Sequence, residues 1–423
     1  MTVIAFAAAR RRVPLAAGAC LCSFMAFWLA QRAADVSMID LMVYRAEGET
    51  VRAGGDLYAL RTTDARLPTT YPPFAALLFT PLTLLDTPDM RTLATLGNLL
   101  LLVAFVTLSL RLIDEERHTR DGWHAHEGRH AREGRHARVE GALWVSSVAV
   151  WCEPVWTTLR YGQINLLLAV VVLWDLSRHP GHRWAGLGIG VAAAVKLTPA
   201  LFAVFLLLTG AAEALRRGVW RPAVRHACVA AVSFAGATLL AAAVLPYDSW
   251  RFWTRMVFEA GRVGLAEDTA NQSLRGVLAR LLHTAEPGAW WAVSAAVSGA
   301  LGLAVAVGAA LRGERARAVL CCAATALLVS PVSWSHHWVW CVPMVLVLGA
   351  EAARRGGGPL RWAATGAASL VFCSYALWWV PHGAGRLELV QDRGQMTLSA
   401  LYVVTAFAFL LGGLRRWRTS RTA

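Results

Sequence analysis

Apolar residues in this chain gather in stretches close to the length of a bilayer crossing, and short arginine-rich segments separate them. The first stretch runs from Val13 to Ala33, directly behind Arg10-Arg11-Arg12. The second runs from about Met90 to Ile113. Others follow at about 142–158, 164–177, 184–195, 198–210, 227–246, 289–311, 318–333, 338–352, 361–380 and 396–414. A helix needs roughly 20 apolar residues to cross the hydrocarbon. The pattern therefore predicts an all-α polytopic membrane protein with about 12 transmembrane helices, within a range of about 10 to 13. The pair 184–195 and 198–210 is short for full crossings, so a broken hairpin around Lys196 is the alternative there. The segment Tyr71–Leu85 is short and punctuated by Pro72, Pro73 and Pro81. It reads as a surface-lying or re-entrant helix.

The basic residues orient this pattern. Cytoplasmic loops carry the excess of arginine and lysine. With Arg10–Arg12 inside, Arg178 and Arg183 fall inside, as do Arg216, Arg217, Arg221 and Arg225. So do Arg312, Arg315 and Arg317, then Arg354, Arg355 and Arg361, and the tail from Arg415. Reading Tyr71–Leu85 as a full crossing puts most of these clusters outside, so that version is rejected. Residues 1–423 are then one integral membrane domain. An outer loop 34–90 carries short juxtamembrane helices, and a second outer loop spans 247–288. Trp250, Trp253 and Val257 recur there at helical spacing, which predicts an interfacial helix. The inner loop 114–140 holds a direct repeat, Glu127–Arg132 and Glu133–Arg138. Its histidines His124, His126, His130 and His136 read as part of a low-complexity cytoplasmic linker, not a metal site. The stretch after Arg12 is too long for a signal-peptide core and reads as an uncleaved first helix.

Composition adds three constraints. The chain is 57% hydrophobic and 16% charged, well below the ~25% charged residues of soluble domains. Its formal charge of +14 is carried by inner loops, so no nucleic-acid partner is expected. The eight cysteines sit in or at the ends of apolar runs. They read as small helix residues, not as a disulfide framework or a zinc site. Lys196 is the one lysine among 41 basic residues; it is either a chance survivor in an arginine-biased chain or a position where a compact ammonium is wanted over a guanidinium fork.

The unusual polar residues then fall on the outer side. They are Asp40, Tyr71-Pro72-Pro73, Arg160-Tyr-Gly-Gln163-Ile-Asn165, Lys196-Leu-Thr-Pro199 and Ser333-Trp-Ser-His336-His337. Plainer readings exist for each. Asp40 could cap a helix, Tyr71-Pro-Pro could start one, Gln163 and Asn165 could bond between helices, and the histidines could be an interfacial pair. Taken together they describe one site. It has one carboxylate and several cations but no nucleotide-binding glycine loop or Asp-x-Asp pair, so no metal and no cofactor is expected. Such a set suits a membrane-resident donor whose leaving group is an anion, that is, a lipid-linked phosphosugar. The carboxylate takes a proton from an acceptor hydroxyl, and cations stabilise the departing phosphate. One base with direct displacement inverts the anomeric carbon.

Asp40-Leu-x-Val-Tyr44, Gly55-Asp-Leu-Tyr58, Tyr71-Pro-Pro-Phe-Ala-Ala-Leu-Leu, Gly162-Gln-Ile-Asn-Leu-Leu-Leu, Lys196-Leu-Thr-Pro and the late Ser-His-His run resemble glycosyltransferase family 87. These are polyprenol-phosphate-mannose-dependent alpha-(1→2)-mannosyltransferases of actinobacteria with the GT-C membrane fold. The resemblance implies a polyprenyl phosphate mannose donor and a glycolipid or lipoglycan acceptor of the cell envelope. It implies a multi-pass enzyme of the cell membrane whose active site faces the extracytoplasmic side. It maps the family's outer aspartate to Asp40, with Asp35 as a second candidate. Lys196, His336 and His337 are then expected at the donor phosphate, with Arg160, and Tyr71 and Gln163 at the sugar or acceptor. Two alternatives stay open: a related transferase for arabinofuranose or glucose, and a flippase for a lipid-linked glycan. A flippase is expected to carry its polar groups near the bilayer midplane on broken helices.

Overall fold

The computed structural model describes residues 2–120, 129–179, 181–218, 222–354 and 358–419. Helix dominates. In chain order it forms α1 (Thr2–Ala33), α2 (Ile39–Ala53), α3 (Pro73–Phe79), α4 (Thr87–Arg120), α5 (Arg129–Ala149), α6 (Glu153–Tyr161), α7 (Asn165–Leu176), α8 (Leu187–Val195) and α9 (Ala200–Arg217). Then come α10 (Pro222–Val244), α11 (Pro246–Thr254), α12 (Leu274–Leu281), α13 (Gly288–Leu311), α14 (Arg315–Val329), α15 (Cys341–Ala352), α16 (Pro359–Cys373), α17 (Arg393–Leu398) and α18 (Leu401–Thr419). The strands among the described residues form one hairpin, β1 (Arg61–Thr62) against β2 (Leu67–Pro68).

Four of these helices contain segments long and apolar enough to cross a membrane: Arg12–Ala33, Thr87–Glu116, Pro222–Val244 and Gly288–Leu311. Their exposed faces carry large apolar side chains such as Leu21, Leu29, Leu100, Leu239 and Leu301. Apolar surface of that extent needs a lipid neighbour, and the chain is a membrane protein. At the centre lies α14, buried from Ala316 to Leu328. It packs on α4, α9, α13, α15 and α18. Small residues permit this closeness. A Cβ on Gly302 of α13 would lie 2.1 Å from Thr325 Oγ1 of α14, and one on Gly190 of α8 would lie 2.2 Å from the Ala230 carbonyl oxygen of α10.

Three expectations change. The helix expected at 142–158 stops at Ala149, and the chain restarts as α6 at Glu153. Pro154 stands in the first turn of α6, where its missing N–H costs nothing. Next, α6 and α7 meet at 114°, through Gly162 at φ 67. Within the expected linker 114–140 the described residues are helical, because α4 continues to Arg120 and α5 begins at Arg129. His124 and His126 lie outside the described residues. Arg317, expected among loop arginines, is buried and paired with Glu351 of α15 at 2.6 Å.

The loops 34–90 and 247–288 dock on one another. Arg251 pairs with Asp56, the Leu57 N–H donates to Asp248 Oδ1 (3.1 Å), and Arg262 donates to the Tyr58 and Thr69 carbonyls. The tryptophan-bearing segment is helical only as far as Thr254: α11 buries Phe252 and exposes Trp250, and Val257 falls beyond it in a 3-10 turn, Met256–Phe258. Tyr71–Leu85 is likewise short helix, α3 followed by a 3-10 turn at Thr80–Leu84.

Candidate active site

The start of α2 sets the first polar group. Asp40 stands in its first turn, after Met38 in a left-handed conformation. One turn later Tyr44 faces the same way, because residues four apart share a helix face. The turn between α6 and α7 supplies Gln163, whose amide is held at both ends. Its Nε2 donates to Asp40 Oδ2 (2.7 Å), and its Oε1 accepts from Tyr44 Oη (2.8 Å). Tyr71 Oη lies 3.2 Å from the same Oε1 and 3.0 Å from Tyr44 Oη. This network holds one carboxylate oxygen of Asp40 on the cleft wall.

Gly162 makes that arrangement possible. Its φ of 67 is left-handed, and a Cβ there would lie 2.6 Å from Leu41 Cβ. An alanine in that conformation costs about 1–2 kcal/mol before any clash with α2. We expect Gly162→Ala to lower the melting temperature and to reduce transfer about tenfold or more, measured on purified protein by thermal unfolding and by initial rates.

Opposite Asp40 stands Lys196, between α8 and α9. Its Nζ donates to Asn165 Oδ1 (3.0 Å) and lies 3.0 Å from His337 Nε2. With Lys196 protonated, its ammonium has three donors and no acceptor, so in that state His337 Nε2 is the acceptor of this contact. These two contacts engage two of its three N–H groups. The ring of Tyr71 is 5.5 Å from Nζ. The segment carrying His337 is anchored through the His336 carbonyl, which accepts from Thr158 Oγ1 (2.7 Å) and Asn165 Nδ2 (3.0 Å).

Asp40, Tyr44, Tyr71, Gln163, Lys196 and His337 line one cleft of about 530 Å³. Most of its remaining wall is apolar, including Leu201, Val204, Val263 and Val329. Of the residues singled out from sequence, the fold thus brings together Asp40, Tyr71, Gln163, Lys196 and His337. His336 stays behind the wall, its ring packed edge-on against Tyr161 and His337. Arg160 is exposed and does not line the cleft. Asp35 lines a separate cavity of about 120 Å³ with Arg32 and Arg91.

Three residues of this neighbourhood were missed as site residues from sequence. Tyr44 had a signal, its i+4 spacing from Asp40. Asn165 lay in a motif already singled out, though nothing there pairs it with Lys196. Glu153 had only its position beside Pro154. It is fully buried and accepts from Thr157, Ser335, Trp378 and Tyr402. It ties α6 to the segment that carries His337.

Burial raises the Asp40 carboxyl to about 6, against the Gln163 hydrogen bond and the Lys196 charge, which lower it. Burial lowers the Lys196 ammonium to about 7, against the Asp40 charge, which raises it. Both histidines are held well below their usual range by burial and by Lys196, so they are neutral at pH 7. A base must be ionised, which requires pH above its pKa. A cation must be protonated, which requires pH below its pKa. The expected profile of kcat/KM against pH is a narrow bell, with an acid limb near 6 from Asp40 and an alkaline limb near 7 from Lys196. The two limbs belong to the interacting pair. A rate that is flat from pH 5 to 9 contradicts this assignment.

A lone base facing a cation across an apolar cleft is suited to moving a group from a membrane-borne anionic carrier, which is glycosyl-transfer chemistry. The comparisons with known proteins agree, and the chain belongs to glycosyltransferase family 87, whose model matches residues 70–331. That match includes Tyr71, Gln163 and Lys196. It begins after Asp40 and ends before His336 and His337. Curated relatives are similar over most of the chain. A Mycobacterium tuberculosis protein named polyprenol-phosphate-mannose-dependent alpha-(1-2)-phosphatidylinositol mannoside mannosyltransferase is 35% identical over 331 residues, covering 75% of this chain and 71% of the relative. A Mycolicibacterium smegmatis protein named polyprenol-phosphate-mannose-dependent alpha-(1-2)-phosphatidylinositol pentamannoside mannosyltransferase is 33% identical over 339 residues, covering 77% and 73%. No solved structure gives a significant match.

Proposed function

We propose that this chain is a multi-pass mannosyltransferase of the cell membrane. It moves mannose from a polyprenyl phosphate donor to a mannoside-bearing envelope glycolipid and forms an alpha-(1→2) linkage. The relatives' names support the donor, the sugar and the acceptor class. The observation that carries the chemistry is the cleft itself, with Asp40 bonded to Gln163 on one wall and Lys196 held by Asn165 and His337 on the other.

The carboxylate of Asp40 takes the proton of the acceptor hydroxyl as that oxygen attacks the anomeric carbon. The bond from that carbon to the phosphate oxygen breaks, and its electron pair leaves with the polyprenyl phosphate. The third N–H of Lys196 meets the charge growing on that oxygen. The apolar wall takes the first isoprene units. A single displacement turns a beta-linked donor into an alpha-linked product. On this reading the fold is of GT-C type with about 12 crossings, and the loops 34–90 and 247–288 form the extracytoplasmic roof of the site.

Donor choice tests the proposal. Membranes containing the protein receive labelled polyprenyl phosphates of mannose, arabinofuranose and glucose, each with phosphatidylinositol mannosides. Label from the mannose donor alone is expected in product, released by an alpha-(1→2)-specific mannosidase. Preferential transfer of either other sugar overturns the assignment.

A further inference from the structure

Eight cysteines are present, and two of them meet across 221 residues of sequence. Cys152 Sγ lies 3.2 Å from Cys373 Sγ. Cys152 occupies the turn before α6, and Cys373 is the last residue of α16. A second contact joins the same two places: Tyr375 Oη donates to the Trp151 carbonyl at 3.2 Å. A bonded pair of sulfurs is ~2.05 Å apart. The remaining gap is about 1.2 Å, and the two sulfurs stand beside helix ends, Cys152 before α6 and Cys373 at the end of α16. Cys321 and Cys322, by contrast, are sequence neighbours on α14. In the proposed topology α5 and α16 both run outward, so Cys152, just past the end of α5, and Cys373, at the end of α16, stand at their outer ends, on the side where disulfides form and persist.

We propose that Cys152 and Cys373 are joined by a disulfide in the enzyme as it stands in the cell membrane. The bond forms by exchange with the disulfide of an extracytoplasmic thiol oxidoreductase. One cysteine thiolate attacks a donor sulfur, and the second cysteine resolves the mixed disulfide. The donor accepts two electrons and leaves as a dithiol carrying the two protons, and the new S–S bond remains. This cross-link fixes the residue immediately before Glu153. Through the Glu153–Ser335 hydrogen bond of 2.8 Å, it also braces the segment that sets His337 against Lys196. The inference rests on the proposed outward placement but not on the identity of the sugar.

The test is a count of thiols in the full-length protein. Membranes prepared without reductant are quenched in acid, denatured in detergent with N-ethylmaleimide, then reduced and treated with a heavier maleimide. Light label on six cysteines and heavy label on Cys152 and Cys373 is expected, with the two peptides found linked before reduction. Light label on all eight, or a link from Cys373 to Cys341, overturns the proposal. Two variants add an independent readout. Reductant is expected to lower the melting temperature of the wild type and to leave Cys152→Ser with Cys373→Ser unaffected. Cys373→Ser alone should carry light label on Cys152. A linked pair in an enzyme that transfers no mannose would fault the proposed function and leave the cross-link standing.

Discussion

Asp40→Asn is expected to reduce mannose transfer by about 10²–10⁴-fold, the usual contribution of a positioned general base. The loss should fall on kcat, with the KM for the lipid donor nearly unchanged. Asparagine keeps the shape of the side chain and still offers an oxygen to Gln163 Nε2, which now sits 2.7 Å from Asp40 Oδ2. It removes the negative charge and with it the capacity to take a proton. Burial raises the Asp40 carboxyl, so holding it ionised works against the fold, and the variant should melt no lower than the wild type. Removing the Asp40 charge also removes the influence that raises the Lys196 pKa. Any residual activity should therefore lose its acid limb and show an alkaline limb displaced to lower pH. Initial rates across pH, with thermal unfolding in parallel, check each part.

The second large effect belongs to Lys196. Lys196→Met is expected to cost about 10²–10³-fold in kcat, as does removal of one donor aimed at a developing oxyanion. The alkaline limb near 7 should vanish with the ammonium. The acid limb should move upward, because Lys196 now lowers the Asp40 pKa. Lys196→Arg should rescue little. The ammonium here sits within 3.0 Å of both Asn165 Oδ1 and His337 Nε2, and a planar fork on a longer side chain does not fit those two directions. Full activity in the arginine variant would mean that positive charge alone suffices. Rates measured at saturating donor and acceptor separate this loss from weakened binding.

Much of this site could be read in sequence because its parts are side chains with unusual chemistry in an apolar chain. Asp40 stood out as a carboxylate beside a membrane, and Lys196 as a solitary lysine. Tyr71 and Gln163 fell in the same set once the outer loops were ordered. What escaped depends on distance through space. Neither histidine of the pair was preferred from sequence, yet only His337 reaches Lys196, while the carbonyl of His336 anchors the segment. Arg160 shares a motif with Gln163, but on α6 it is exposed, whereas Gln163 follows the left-handed turn at Gly162 and points inward. Glu153 was hidden inside an apolar stretch read as one continuous helix. A proline in a first turn can either continue an apolar segment or restart it, and only the surrounding contacts decide.

The fold divides in the same way. Helix follows from apolar stretches, and the long ones, α1, α4, α10 and α13, were visible as such. The shorter ones, such as α8 and α15, fall below the length of a simple crossing, and their places in the bundle come from packing. The burial of Arg317 against Glu351 shows that a basic residue next to a loop need not face water when a carboxylate on a neighbouring helix meets it.

The proposed reaction is direct displacement at the anomeric carbon of a lipid phosphosugar by an acceptor that Asp40 deprotonates. The most direct measurement reconstitutes the purified protein in vesicles with a ¹³C-labelled beta-mannosyl phosphopolyprenol and a phosphatidylinositol mannoside, and reads the product by NMR. An alpha-(1→2)-linked mannose, formed by the wild type and not by Asp40→Asn, is the result expected. A beta-linked product, equal transfer by both proteins, or labelled lipid that crosses the bilayer with no glycoside formed would contradict it.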